Sequence, residues 1–229
     1  MIKLVVFDMA GTTVDEDNVV YKTVRKAINS AGYSFTQDEV QAVGAGKEKS
    51  QAIRDVLALD GNTHDEDEVH DIFSNFKSLL AAAYQTLEVT EQPDTTATFN
   101  QLRAANIRVV LNTGYDRTTA ESLIKKIGWE SGRDFDGLVT ASDVSNGRPA
   151  PDMIHHAMKL AEVQDPSQVA KVGDSQIDID EGKNASCGLT VGVTTGAQTR
   201  EQLESVQPSC VIDNLKELLP LLALNTPDA

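Results

Sequence analysis

A chain of 229 residues with 40% hydrophobic side chains can build one medium-sized core plus a small insertion, which excludes a disordered protein. Its formal net charge of -15, with no long basic stretch to offset the acidic helices, excludes a general nucleic-acid binder. Only two cysteines, Cys187 and Cys210, are present and neither sits in a metal-like spacing, so no disulfide framework is expected and reduced thiols are.

Taken in chain order, residues 4–7 (Leu-Val-Val-Phe) read as a buried strand that ends in Asp8. The apolar start is cut short there, so neither a signal peptide nor a membrane span is expected, and the cytoplasm is the default location. From Met9 to Asp15 a small-residue turn follows, with Gly11 and two hydroxyls, Thr12 and Thr13. A carboxylate at the end of a strand, beside a tight glycine turn, is well placed to attack phosphorus while backbone amides hold the phosphoryl oxygens. Taken alone, the same residues also describe an ordinary Asx or Ser/Thr turn.

After Asp15 the pattern becomes helical and stays so until about Glu88. Val19, Val20, Val24, Ala27 and Ile28 form one apolar face; residues 40–43, 53–59 and 69–84 supply three more segments, with a helix expected over 49–59. A four-helix cap domain over 16–88 is the expectation, inserted into a core formed by 1–15 and 89–229. The acidic run 65–68 is favourable charge at a helix N-terminus. From Pro93 onward helix and strand alternate: a helix over 95–106, then strands ending at Asn112, Thr140, Asp174, Val193 and Ile212. Alternation implies an α/β fold with a doubly wound, Rossmann-like parallel sheet, whose ligands bind beyond the carboxyl ends of the strands. The tail at 224–229 is expected to fray.

Three later strand ends add chemistry to Asp8. Thr113-Gly114-Tyr115 brings a hydroxyl and a flexible residue, Gly147-Arg148-Pro149 brings a permanent positive charge, and Gly173-Asp174 brings an acid, with Asp178 four residues on. In order and type these segments resemble the four motifs of the haloacid dehalogenase superfamily of phosphohydrolases, over almost the whole chain. The resemblance implies that Asp8 is a nucleophile forming an aspartyl phosphate and that Asp8, Asp174 and the Ala10 carbonyl bind Mg2+, supported by Asp178. It also implies that Thr113 hydrogen-bonds the phosphoryl group, with Gly11 and Thr12 beside it, and that Arg148 neutralises charge between that group and Asp8. The physics of the residue types agrees: magnesium takes hard oxygen ligands, and phosphoryl transfer is helped mainly by positioning and positive charge.

Ala10 narrows the resemblance. Most phosphatases of the superfamily carry an acid there to protonate the leaving alcohol, and a methyl group cannot do so. The form Asp8-Met9-Ala10-Gly11-Thr12-Thr13 is similar to the phosphonatase branch, the phosphonoacetaldehyde hydrolases, which break a carbon–phosphorus bond after joining the substrate carbonyl to a lysine. Lys47, after the turn Gly44-Ala45-Gly46, stands where that branch has its Schiff-base lysine, while Lys49 reads as a surface charge. Arg148 and Tyr115 also match the branch. Ser50 and Asn18 replace its cap histidine and linker cysteine, which leaves proton transfer during imine formation without its usual group.

Three functions follow as expectations. A phosphonatase-like hydrolase acting on a small phosphonate or phosphorylated metabolite requires Lys47, a phosphomonoester phosphatase of the same fold does not, and a noncatalytic phosphometabolite-binding module would survive Asp8→Asn. No membrane or nucleic-acid partner is expected; the resemblance and the apolar first cap helix favour a homodimer through the cap.

Overall fold

A computed structural model describes residues 1–224, so the tail from residue 225 on lies outside the described residues. Strand β1 (Leu4–Asp8) is buried along its whole length. After a five-residue turn the chain forms β2 (Val14–Asp15), a short ribbon strand whose antiparallel partner, β3 (Thr90–Glu91), comes some 75 residues on. Between them lie four helices, α1 (Val19–Ser30), α2 (Gln37–Gly44), α3 (Lys49–Leu57) and α4 (Glu66–Thr86). Their inward faces form a separate apolar cluster that includes Val24, Ile28, Ile53, Val56, Ile72 and Phe76.

Local chemistry sets the helix ends. Thr36 and Glu39 form a reciprocal capping box at α2, and Asp65 accepts a hydrogen bond from the Glu68 amide at α4. The sequence pattern carries the third helix to residue 59, but regular α geometry stops at Leu57. The next three residues tighten into a 3-10 turn that ends at Gly61, whose φ of 80° suits a residue without Cβ.

The remainder alternates as expected: α5 (Thr95–Ala104), β4 (Arg108–Thr113), α6 (Arg117–Ile127), β5 (Gly137–Thr140), α7 (Asp152–Leu160), β6 (Val169–Gly173), α8 (Gln176–Asn184), β7 (Leu189–Val193), α9 (Arg200–Ser205), β8 (Cys210–Ile212) and α10 (Leu218–Leu221). Six strands pair in the order β5-β4-β1-β6-β7-β8, and each pairing is parallel. Apolar side chains cover both faces of the sheet, as continuous parallel strands require: Phe7, Phe99 and Leu111 on one side, Val6, Val110 and Ile154 on the other. Strand order reverses around β1, where a crevice opens at the carboxyl ends. The register puts Asp8 opposite Asn112 and ends β1, β4 and β6 together, so Asp8, Thr113 and Asp174 emerge at one edge.

Cys187 and Cys210 are both free thiols. No helix among the described residues is long and apolar enough to cross a membrane.

Candidate active site

Asp8, Asp174 and Asp178 are buried and bring one carboxylate oxygen each within 4.8 Å of one another. Arg148 crosses the sheet edge to join them: Nη1 lies 2.7 Å from Asp8 and 3.0 Å from Asp178, and Nη2 donates to the Asn112 carbonyl and side-chain oxygens at 3.0 and 2.8 Å. Thr113 is buried and shares with Asp8 the lining of a pocket of about 40 Å³, which Ala10, Gly114 and Tyr115 also line. The Thr113 hydroxyl accepts the Tyr115 amide at 3.2 Å, while the Tyr115 hydroxyl meets that of Tyr84, on α4, at 2.8 Å. Thus the strand-end residues converge, and Tyr115 links the sheet to the helical group.

The turn after Asp8 is built differently from the sequence expectation. The amide of Gly11 donates to the Val14 carbonyl at 2.9 Å and that of Thr12 to the Met9 carbonyl at 3.1 Å, so both close the turn instead of facing a ligand. Thr12 contributes its hydroxyl, 3.5 Å from Asp174, and the Ala197 amide donates to the same carboxyl at 2.6 Å. Gly11 has φ of 79°, and a Cβ there would overlap the Asp174 carboxylate.

Two further residues complete the charge pattern. Lys171, fully buried in β6, holds Asn112 at 2.7 Å, Asp178 at 2.9 Å and Glu181 at 3.2 Å. Glu181, buried on α8, lies 3.1 Å from Arg148 Nε and accepts from Asn112 Nδ2 through its two oxygens, at 2.9 and 3.1 Å. Burial and the neighbouring charges of Asp8 and Asp178 push the Asp174 carboxyl well above the usual range. Burial also raises Asp8, with Arg148 opposing it. At Asp178 burial is overcome by Arg148 and Lys171, and the carboxyl falls below the usual range. The enclosed carboxylates of Asp8, Asp174, Asp178 and Glu181 outnumber the cations around them, Arg148, Lys171 and Lys49, and the three aspartates, hard oxygen donors that repel one another, fit a divalent cation.

The two lysines after the Gly44 turn separate. Lys47 is about one-third exposed and its ammonium pairs with Asp55 on the helical group, away from the pocket. Lys49, read from sequence as a surface charge, instead lines the pocket with Asp8; its Nζ donates to the Lys47 carbonyl at 2.6 Å and sits 5.0 Å over the Tyr21 ring. Burial pulls its ammonium down to about 8, against the attraction of Asp8. The reason for the reversal is local: residues 47 and 49 lie at the bend into α3, and Gly46, with φ of 72°, turns the chain so that Lys49 is the one that points inward. Glu16 is likewise buried, at 3% exposure, with burial raising its carboxyl to about 8. Its only sequence signal is an acid at the junction between strand and helical pattern.

Comparison with known proteins agrees in fold and sequence. A family described as haloacid dehalogenase-like hydrolase matches residues 2–186. A phosphonoacetaldehyde hydrolase of Latilactobacillus sakei is 30% identical over 258 aligned positions, covering 97% of this chain and 95% of that protein. Another, from Lysinibacillus sphaericus, is 34% identical over 208 positions, covering 86% and 76%. A solved phosphonoacetaldehyde hydrolase-like protein from Oleispira antarctica shares the fold with a TM-score of 0.82 at 25% identity, over 97% of this chain and 91% of that one.

Proposed function

From a chain that belongs to the haloacid dehalogenase-like hydrolase family, as this one does, we infer a phosphonatase-like hydrolase that cleaves a carbon–phosphorus bond next to a carbonyl carbon. The observation that carries this reading is one small pocket lined together by Asp8, Lys49 and Ala10, which puts an amine beside the nucleophile and a methyl group at the second position after it. Lys49, not Lys47, is the proposed imine-forming residue, because a buried amine pulled down to about 8 is partly unprotonated near neutral pH.

The Lys49 amine adds to the substrate carbonyl and water leaves, giving a protonated imine. The carbon–phosphorus bond then breaks: its electron pair moves toward the iminium to give an enamine, and the phosphoryl group passes to Asp8. One water hydrolyses the aspartyl phosphate; the enamine carbon takes a proton from solvent to restore the iminium, and a second water then frees the carbonyl product from Lys49. Thr113 and Arg148 hold and neutralise the phosphoryl oxygens throughout. Asp8, Asp174 and the Ala10 carbonyl would hold magnesium, supported by Asp178; when bound, the ion adds positive charge where the phosphoryl group is transferred. The four helices act as the cap that excludes water from this edge.

Phosphate release from phosphonoacetaldehyde, run with magnesium beside a panel of phosphomonoesters, tests the reading. Release by wild type that falls to background in Lys49→Ala and persists in Lys47→Ala is expected. Turnover of monoesters alone, insensitive to Lys49, would replace this reading with a phosphatase.

A further inference from the structure

The pocket at Asp8 is very small. At about 40 Å³ it is far smaller than the spaces of about 200 and 500 Å³ beside it. The carbon part of any larger substrate must therefore lie outside it, and two spaces adjoin. One, of about 200 Å³, is lined by Asp15, Asp17 and Asp174, and would repel an anionic substrate. The other, of about 500 Å³, shares Lys49, Gly114 and Tyr115 with the pocket and runs beneath α4.

That second cleft has an apolar floor. Phe73, Phe76, Leu80 and Tyr84 fall on one stripe of α4 at spacings of three and four, and the Phe73 and Phe76 rings stack with centroids 6.0 Å apart. The acids at its rim cap helices. Glu48 accepts the Ser50 and Gln51 amides at the start of α3, and Asp116 accepts the Thr119 amide at the start of α6. Lys77 lies 4.8 Å over the Phe73 ring. Its charged side chains stand at the rim and its floor is apolar, and a cleft of this size and lining suits an aliphatic or aryl group.

We infer that this cleft is a substrate subsite, and that the substrate is a phosphonate carrying an uncharged apolar substituent of several carbons beyond its reactive centre. The substituent lies along Phe73, Phe76 and Leu80 and leaves through the neck formed by Lys49 and Tyr115. This rests on the proposal that phosphorus sits at Asp8.

Calorimetric titration with n-alkylphosphonates from methyl to hexyl, in the presence of magnesium, tests it without requiring turnover. Affinity should rise about fourfold per methylene as each is buried. Ala81 and Thr118 line the cleft and are exposed, so Ala81→Trp and Thr118→Trp should fill it while the chain still folds, and both should flatten the series. A flat series in wild type, with phosphate still released from phosphonoacetaldehyde, overturns the subsite and leaves the proposed reaction standing. A rising series flattened by both variants, without any turnover, sustains the subsite and sinks the reaction. Failure of every member to bind, with no phosphate released from phosphonoacetaldehyde, overturns both.

Discussion

Arg148 shows how strongly single residues at this edge depend on one another. Its guanidinium faces Asp8, Asp178 and Glu181, so Arg148→Met leaves three enclosed carboxylates short of a partner. A loss of about 3–5 kcal/mol of unfolding free energy is expected, as for a buried pair broken on one side, and denaturant titration measures it. Arg148→Lys should recover only part, because an ammonium cannot match the planar fork. Glu16 gives a pH-dependent counterpart. Its folded carboxyl is raised to about 8 from an unfolded value near 4.5, so the folded state holds a proton that the unfolded state releases. Stability from this group is greatest below about 4.5 and declines as pH rises through about 8. Glu16→Gln should flatten that decline, raising Tm more at pH 8 than at pH 5. A thermal melt series with equal shifts at both pH values would contradict the assignment.

At the scale of elements, the loop between α2 and α3 joins the helices to the sheet edge. Gly46 donates its amide to the Tyr21 hydroxyl at 2.8 Å, and a Cβ at this position would collide with Ile177 and Ser175 at the start of α8. Gly46→Ala should therefore hold the helical group away from the sheet, lowering kcat/KM while leaving the melting temperature of the sheet core nearly unchanged; unaltered kinetics would show that the loop does not govern closure. Much of this architecture was legible in residues: the strand ending in Asp8, the alternation after Pro93 and the apolar stripes of α1 and α4 all express their periods plainly. The β2–β3 ribbon was not, because two-residue strands have no period to read. The segment Lys171-Val172-Gly173-Asp174-Ser175 resembles the phosphonatase branch, yet one charged residue in an otherwise apolar strand gives no sign that it pairs with Asp178 and Glu181. Lys49 reads as a surface charge because helical periodicity says nothing about which lysine turns inward at the bend where Gly46 meets Tyr21.

For the whole molecule, the formal charge of -15 opposes an anionic substrate at long range, while Arg148, Lys171 and Lys49 attract it only nearby. Raising ionic strength from about 0.02 to about 0.15 M should thus increase kcat/KM for a dianionic phosphonate, as the distant field is screened before the local one. A steep fall would show that the site's own field dominates capture. The enclosed excess of negative charge predicts that magnesium raises the melting temperature, with no such shift in Asp174→Asn; equal shifts in both proteins would place the binding elsewhere. The central claim joins these scales in one bond, between the Lys49 amine and a substrate carbonyl. Borohydride reduction during turnover of phosphonoacetaldehyde, followed by peptide mass spectrometry, tests it most directly. An ethyl group fixed on Lys49, absent without substrate and absent in Lys49→Ala, is the predicted result; a protein that releases phosphate yet carries no adduct, or carries it on Lys47, would contradict the account.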